Sequence, residues 1–143
     1  MRKFLILIAF ATPALADSDY IAPVTDPLTQ AECSACHMAY PPSLLPAESW
    51  HKIMTSLSDH FGEDASLPEA DAAAIEAYLT GQTRPAAQMR ADPETPPLRI
   101  TELPWFKREH EGEVSRRALE KAGSMANCTA CHRGAERGYF EDD

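Results

Sequence analysis

Two copies of one short motif contain every cysteine of this 143-residue chain. The stretch CSACH, Cys33 to His37, returns near the other end as CTACH, Cys128 to His132. A disulfide between such close cysteines would close a very small loop, so it would restrict the unfolded chain little. The spacing therefore argues against a structural disulfide framework, although the cysteine count is even.

The motif is typical of covalent haem attachment. Its two thiols add to the porphyrin vinyl groups as thioethers, and the adjacent histidine binds the iron from the same side. Zinc ligands normally come from separated positions, and a thioredoxin-like dithiol would lie in a βαβ unit, which this sequence does not show. We therefore predict two covalently attached c-type haems. The predicted attachment and iron-binding residues are Cys33, Cys36, His37, Cys128, Cys131 and His132.

Residues 1–16 have the pattern of a secretory signal peptide. Two basic residues precede an apolar run from Phe4 to Ala11, and ALA at 14–16 has the form of a cleavage site. The run is shorter than the roughly 20 apolar residues of a membrane-spanning helix. We expect export, cleavage after Ala16 and a soluble periplasmic protein with no direct membrane span.

Cleavage would leave 22 acidic residues and 11 of the 13 basic ones, a net charge of −11. This charge argues against nucleic acid as a partner. The charge is also uneven, because residues 17–83 contain eleven acidic residues and a single basic one, Lys52. We expect this half to attract a basic face on a redox partner. Solubility alone is the alternative explanation of the charge.

The hydrophobic pattern predicts an all-α fold with extensive irregular chain. The first helix should begin at Pro27 with Asp26 as its N-cap and should end at the first motif. A second helix is predicted over 47–62, and a third over 66–81. The third helix should begin with a capping box of Ser66 and Glu69. No alternating strand pattern is visible.

Residues 84–104 are rich in proline and predict an extended, stiff connection. We therefore predict an N-terminal haem domain over 17–83, a Pro-rich linker over 84–104 and a C-terminal haem-binding lobe over 105–143. The polar helix that opens the last lobe should be interrupted at Gly112. Lobes of this size are marginal alone, so a large apolar cofactor would supplement their cores.

The second axial ligand of each iron is less certain from the residues alone. Three histidines remain outside the motifs, and Met54 fits the apolar stripe of the second helix, where core packing explains it. On that predicted helix His51 and His60 lie on opposite sides, so one helix cannot aim both at the same haem. The helical pattern favours His60 only modestly. The candidates left open are His51, His60, His110, Met38, Met54, Met89 and Met125.

Four stretches resemble the bacterial dihaem cytochrome c family: ECSACHMAYPPSLLPAESW, LSDHFGEDASL, PPLRITELPWFKREH and NCTACHRGAERG. The resemblance implies an N-terminal lobe like a class I cytochrome c and a smaller, irregular C-terminal haem lobe. It also implies bis-histidine ligation, with His60 of DHFG and His110 of REH as the distal ligands. Members of that family pass electrons to an oxygen-binding monohaem cytochrome, the sphaeroides haem protein, and a membrane cytochrome b is associated with them as the electron source.

Two histidines on each iron would leave no open position, so we expect low-potential electron transfer and no enzymatic activity. The alternative is a haem enzyme or sensor, peroxidase-like or gas-binding, with an open coordination site on one haem. Such a protein would usually place acid and base residues over the open face, and no such arrangement is legible in the sequence. A purely structural haem-binding module is a third interpretation.

Overall fold

The computed structural model describes residues 20–141, which form five α-helices joined by irregular chain. The helices are α1 (Pro27–Cys33), α2 (Ala47–Met54), α3 (Glu69–Gly81), α4 (Pro104–His110) and α5 (Arg116–Ala122). Six 3-10 turns lie at Pro42–Leu44, Leu57–Asp59, Ala86–Met89, Ile100–Glu102, Cys128–Ala130 and Ala135–Arg137. No strand occurs in this described part, only two isolated bridges. The predicted all-α class is therefore confirmed for residues 20–141, and the predicted signal peptide, 1–16, lies outside them.

Helix α1 begins as predicted. The Asp26 carboxylate accepts hydrogen bonds from the backbone N–H and the hydroxyl of Thr29, both at 2.8 Å. Pro27 is the first helical residue. A backbone N–H at this position makes no intrahelical hydrogen bond, so proline, which lacks the N–H, loses nothing there. Because Cys33 is the last helical residue, the first motif starts on a helix and continues into the following turn.

Helix α2 is shorter than predicted, because it ends at Met54. The hydroxyls of Thr55 and Ser56 donate to backbone carbonyls one turn back, at 3.0 Å to His51 and 2.8 Å to Lys52. Such side-chain bonds compete with the helical backbone ladder. His60 consequently lies in the loop after a 3-10 turn, and the expectation that it shares a helix with His51 is wrong.

Helix α3 begins without the predicted capping box. The backbone N–H of Ser66 donates to the Asp64 carboxylate at 2.9 Å, and Pro68 is the N-cap. A residue before proline avoids the helical conformation, so Leu67 cannot belong to the helix. The capping-box prediction fails for this reason, although the helix itself is confirmed at Glu69–Gly81.

The segment 84–104 is less extended than predicted. It contains two 3-10 turns, and it buries Met89, Ile100 and Leu103, the last of them completely. These residues belong to one core with side chains of α2, α3 and α4. A few apolar residues among the prolines are therefore enough to pack the segment on the helices. The boundaries of the predicted domains, at 83/84 and 104/105, stay predictions.

The polar stretch after Pro104 breaks into α4 and α5, as predicted from Gly112. Gly112 has a φ of 89°, a conformation that favours glycine over residues with a Cβ. In the described part of the chain, no helix is both long enough and apolar enough to cross a membrane.

Candidate haem-binding sites

None of the four cysteines forms a disulfide. In each motif the first cysteine is partly buried and the second is exposed. Burial raises the pKa of the Cys33 thiol, and the neighbouring Glu32 carboxylate adds to the effect. Burial likewise raises the pKa of Cys128. A raised pKa at the first cysteine of each motif is the opposite of the lowered pKa that activates a reactive redox thiol.

The first motif places its histidine opposite a second histidine. The centroids of the His37 and His60 rings lie 6.2 Å apart, and the two ring planes are only 22° from parallel. Nδ1 of His37 lies 2.8 Å from the carbonyl oxygen of Met38. When Nδ1 carries the proton and donates it there, the other ring nitrogen is free to bind a metal.

The loop that carries His60 is held by several contacts. The His60 backbone N–H donates to the carbonyl of Glu63 at 2.7 Å. The next residue, Phe61, has a φ of 58°, which is a costly conformation for a bulky side chain. The guanidinium of Arg99 lies 4.0 Å above the centre of the Phe61 ring, a favourable cation–π contact. Burial lowers the pKa of His60, and the charges of His37 and Arg99 lower it further.

The second motif has a matching partner on α4. The centroids of the His110 and His132 rings are 6.1 Å apart, but their planes are nearly perpendicular, at 87°. His110 stacks on Phe106, one helical turn earlier, at 3.9 Å and 10°. Nδ1 of His110 lies 2.9 Å from the Phe106 carbonyl, and Nδ1 of His132 lies 3.3 Å from that of Glu141. Both rings can therefore turn a free nitrogen toward the space between them.

The separation of each ring pair fits one iron atom between two imidazoles. With a metal–nitrogen bond of about 2.0 Å and about 1.1 Å more to each ring centre, the two centroids would lie about 6.2 Å apart. Within residues 20–141, no group of three or more His, Cys, Asp or Glu side chains is arranged to hold a metal ion. Each pair could supply two nitrogens to the iron of a haem attached at the neighbouring motif.

The other candidates from the sequence lie elsewhere. His51 is 62% exposed, and its Nδ1 pairs with the Glu76 carboxylate at 2.7 Å. Met54 and Met89 are buried in the core. Met125 packs against the edge of that core. Of the candidates from the sequence, His60 on the loop after α2 pairs with His37 at 6.2 Å, and His110 on α4 pairs with His132 at 6.1 Å.

Sequence reasoning missed the residues that support these histidines. Phe106 lies four residues before His110, and this spacing on a predicted helix would have indicated the contact. Arg99 lies far along the chain from Phe61, and no local pattern signals their contact. Tyr40 stacks on His37 with centroids 4.8 Å apart, which its position three residues later in irregular chain does not reveal.

Comparisons with known proteins identify the family of this chain. The family model for dihaem cytochrome c matches residues 29–140. A solved structure of the diheme cytochrome c from Rhodobacter sphaeroides is 58% identical over 83% of this chain and 99% of its own, with a TM-score of 0.78. A diheme cytochrome type c from Shewanella baltica OS155 is 42% identical over 80% of this chain and 86% of its own, with a TM-score of 0.68. The search of curated proteins found no significant match. This chain therefore belongs to the dihaem cytochrome c family, and it carries two covalently attached c-type haems.

Proposed function

We propose that this protein is a periplasmic electron carrier in which two histidines bind each haem iron. His37 and His60 bind the first iron, and His132 and His110 bind the second. The observation that carries this proposal is the pair of facing imidazoles at each motif, with centroids 6.2 Å and 6.1 Å apart. His51 is excluded from the proposed ligand set because it is exposed and paired with Glu76.

A haem supplies an iron that takes up and releases one electron. The protein's part is to hold the axial nitrogens in place, and backbone carbonyls do this by accepting hydrogen bonds from Nδ1 of His37, His110 and His132. With both axial positions filled, a substrate or gas would have to displace a histidine. The proposed activity is therefore electron transfer and not catalysis.

The proposed ligands also set the expected potential. An axial methionine raises the reduction potential of a cytochrome c relative to a second histidine. Met54 and Met89 are buried in the core, where they pack against apolar side chains. We therefore propose that both haems have low potentials.

For the partner we propose an oxygen-binding monohaem cytochrome as electron acceptor and a membrane cytochrome b as electron donor. Redox encounters use small, transient interfaces that are steered by charge. The eleven acidic residues of 17–83, against one basic residue, would attract a basic face. Association rates should fall as salt is added, and rates that are independent of salt would contradict this docking mode.

Optical spectra with carbon monoxide test the ligation and separate this proposal from a gas-binding or peroxidase-like haem protein. We expect the ferric protein to be low-spin at both haems and the ferrous protein to resist carbon monoxide. Redox titration should place both haems in the range of bis-histidine cytochromes. A high-spin haem in the resting protein, or ready binding of carbon monoxide, would favour the enzyme or sensor instead.

A further inference from the structure

One side chain links the first haem-binding motif to the chain that leads into the second. The ring of Tyr40 stacks on the ring of His37, with centroids 4.8 Å apart and planes 24° from parallel. Its hydroxyl donates a hydrogen bond to the backbone carbonyl of Ala126 at 2.7 Å. Residue 126 is 86 positions away in the chain and lies two residues before Cys128. Tyr40 therefore joins the proximal histidine of the first site to the chain that enters the second motif.

The Ala126 carbonyl is part of the structure of the second motif. It also accepts a hydrogen bond from the backbone N–H of Cys128 at 3.0 Å, and the Cys128 sulfur lies 3.6 Å from it. The Cys128 carbonyl in turn accepts from the backbone N–H of His132 at 2.8 Å. Continuous short contacts thus lead from the His37 ring through Tyr40 to both ends of the second motif.

The environment of Tyr40 suits a fixed contact. The side chain is partly buried and packs against the hydrophobic core. Because the Ala126 carbonyl can only accept, the Tyr40 hydroxyl is the donor of their hydrogen bond. A ring that is stacked on an imidazole and bonded at its tip has little freedom to move, so it can fix the distance between the segments it joins.

We propose that Tyr40 is a positioning residue that locks the second haem's attachment segment to the axial histidine of the first haem and thereby sets the electronic coupling of the two haems. This inference rests on the proposed electron-carrier function. In an exchange between the haems, one electron leaves the iron that is oxidised and arrives at the iron that is reduced. No bond breaks and no proton moves, and Tyr40 is neither oxidised nor reduced.

The test compares Tyr40→Phe with Tyr78→Phe in the full protein with both haems attached. Tyr40→Phe keeps the stacked ring and removes the bond to Ala126. Tyr78 is a matched control, because it is also partly buried against the core and its hydroxyl hydrogen-bonds to Thr25, away from both motifs. One electron is injected by flash photoreduction, and its redistribution between the haems is followed optically. We expect a several-fold slower redistribution in Tyr40→Phe and the wild-type rate in Tyr78→Phe.

A second measurement follows the position of the attachment segment directly. Amide hydrogen exchange at Ala130, Cys131 and His132 in the ferric protein should speed up several-fold in Tyr40→Phe and stay unchanged in Tyr78→Phe. Should Tyr40→Phe fail to fold, 3-fluorotyrosine at this position, a stronger donor of the same shape, should slow the same exchange. The inference would be overturned if Tyr40→Phe kept the wild-type rate of electron redistribution and the wild-type rate of amide hydrogen exchange. It would also be overturned if fluorotyrosine left the amide hydrogen exchange unchanged.

The ligation proposal is checked separately, on the wild-type protein. A high-spin ferric signal there would refute the bis-histidine assignment before any variant is made. If the wild type is low-spin at both haems and Tyr40→Phe keeps both low-spin signals, the rate and exchange results concern Tyr40 alone.

Discussion

The two haem sites start from the same pentapeptide pattern and differ in what surrounds it. The first lies at the end of α1, beside the buried side chains of α2 and α3. The second motif follows α5, a helix with no buried residue, and its facing histidine, His110, lies at the end of α4. Their ring pairs have nearly the same separation, but the planes are 22° apart in the first and 87° apart in the second. We therefore expect the chain around the second motif to depend more on its haem for its fold than the helices beside the first motif do.

The largest expected effect comes from preventing haem attachment at one site. In a Cys128→Ala/Cys131→Ala variant, α5 and the chain around it lose a large apolar group to pack against. We expect residues 112–134 to lose most of their amide protection, since helices this short are marginal without tertiary packing. The measurement is hydrogen exchange read by mass spectrometry.

The matched variant is Cys33→Ala/Cys36→Ala. It should leave α2 and α3 protected, because buried residues such as Ile75 and Leu79 hold them together. Equal loss of protection at both sites would show that the contrast between the sites is wrong.

Removal of the proposed distal histidines comes next in size. His60→Ala and His110→Ala should each convert one haem to a high-spin, carbon-monoxide-binding form, because the sixth position of that iron becomes open. His51→Ala is the control, since His51 is exposed and paired with Glu76 and is not among the proposed ligands. Optical spectra of the ferric and ferrous forms measure the change. A high-spin haem in His51→Ala would reverse the ligand assignment.

The ring planes predict a spectroscopic difference between the sites. Two nearly parallel imidazoles interact mainly with one d orbital of the iron, whereas perpendicular imidazoles interact almost equally with two. We expect two low-spin ferric signals in electron paramagnetic resonance, with the greater g anisotropy at the second site. His60→Ala should remove the less anisotropic signal and His110→Ala the other. Two identical signals in the wild type would contradict the geometry.

The smallest expected effect comes from removing one helix cap in each region. Ser115 caps α5 by accepting from the backbone N–H of Ala118 at 3.2 Å, and Ser115→Ala should cost about 1 kcal/mol at any pH. Asp26→Ala removes a charged cap, and hydrogen bonds from Thr29 lower the pKa of that carboxyl below its ordinary 3.8. Its contribution is fully present above pH 3.8 and is lost as the pH falls through the folded-state pKa.

Thermal unfolding at about pH 7 and about pH 3 checks both caps. The difference between wild type and Asp26→Ala should shrink at the lower pH, whereas the difference for Ser115→Ala should not. A constant difference for Asp26→Ala would show that its carboxylate does not act as a charged cap.

Local patterns predicted the parts of the fold that depend on neighbours in the chain. The start of α1 followed from Asp26 and Pro27, and the break between α4 and α5 followed from Gly112. The end of α2 was missed, because the hydroxyls of Thr55 and Ser56 turn back onto the helix. The packing of 84–104 was missed as well, since the apolar side chains that hold it are few and their partners are distant in sequence.

The sequence by itself determined the cofactor, because haem attachment needs only two thiols and a histidine at contiguous spacing. The tertiary structure decided which free histidines face His37 and His132, and at what ring angle. It also brought Tyr40 against Ala126, a contact between residues on opposite sides of the chain's midpoint. These contacts depend on how the loop that carries His60, helix α4 and the shared core pack together. No local sequence pattern predicts that packing.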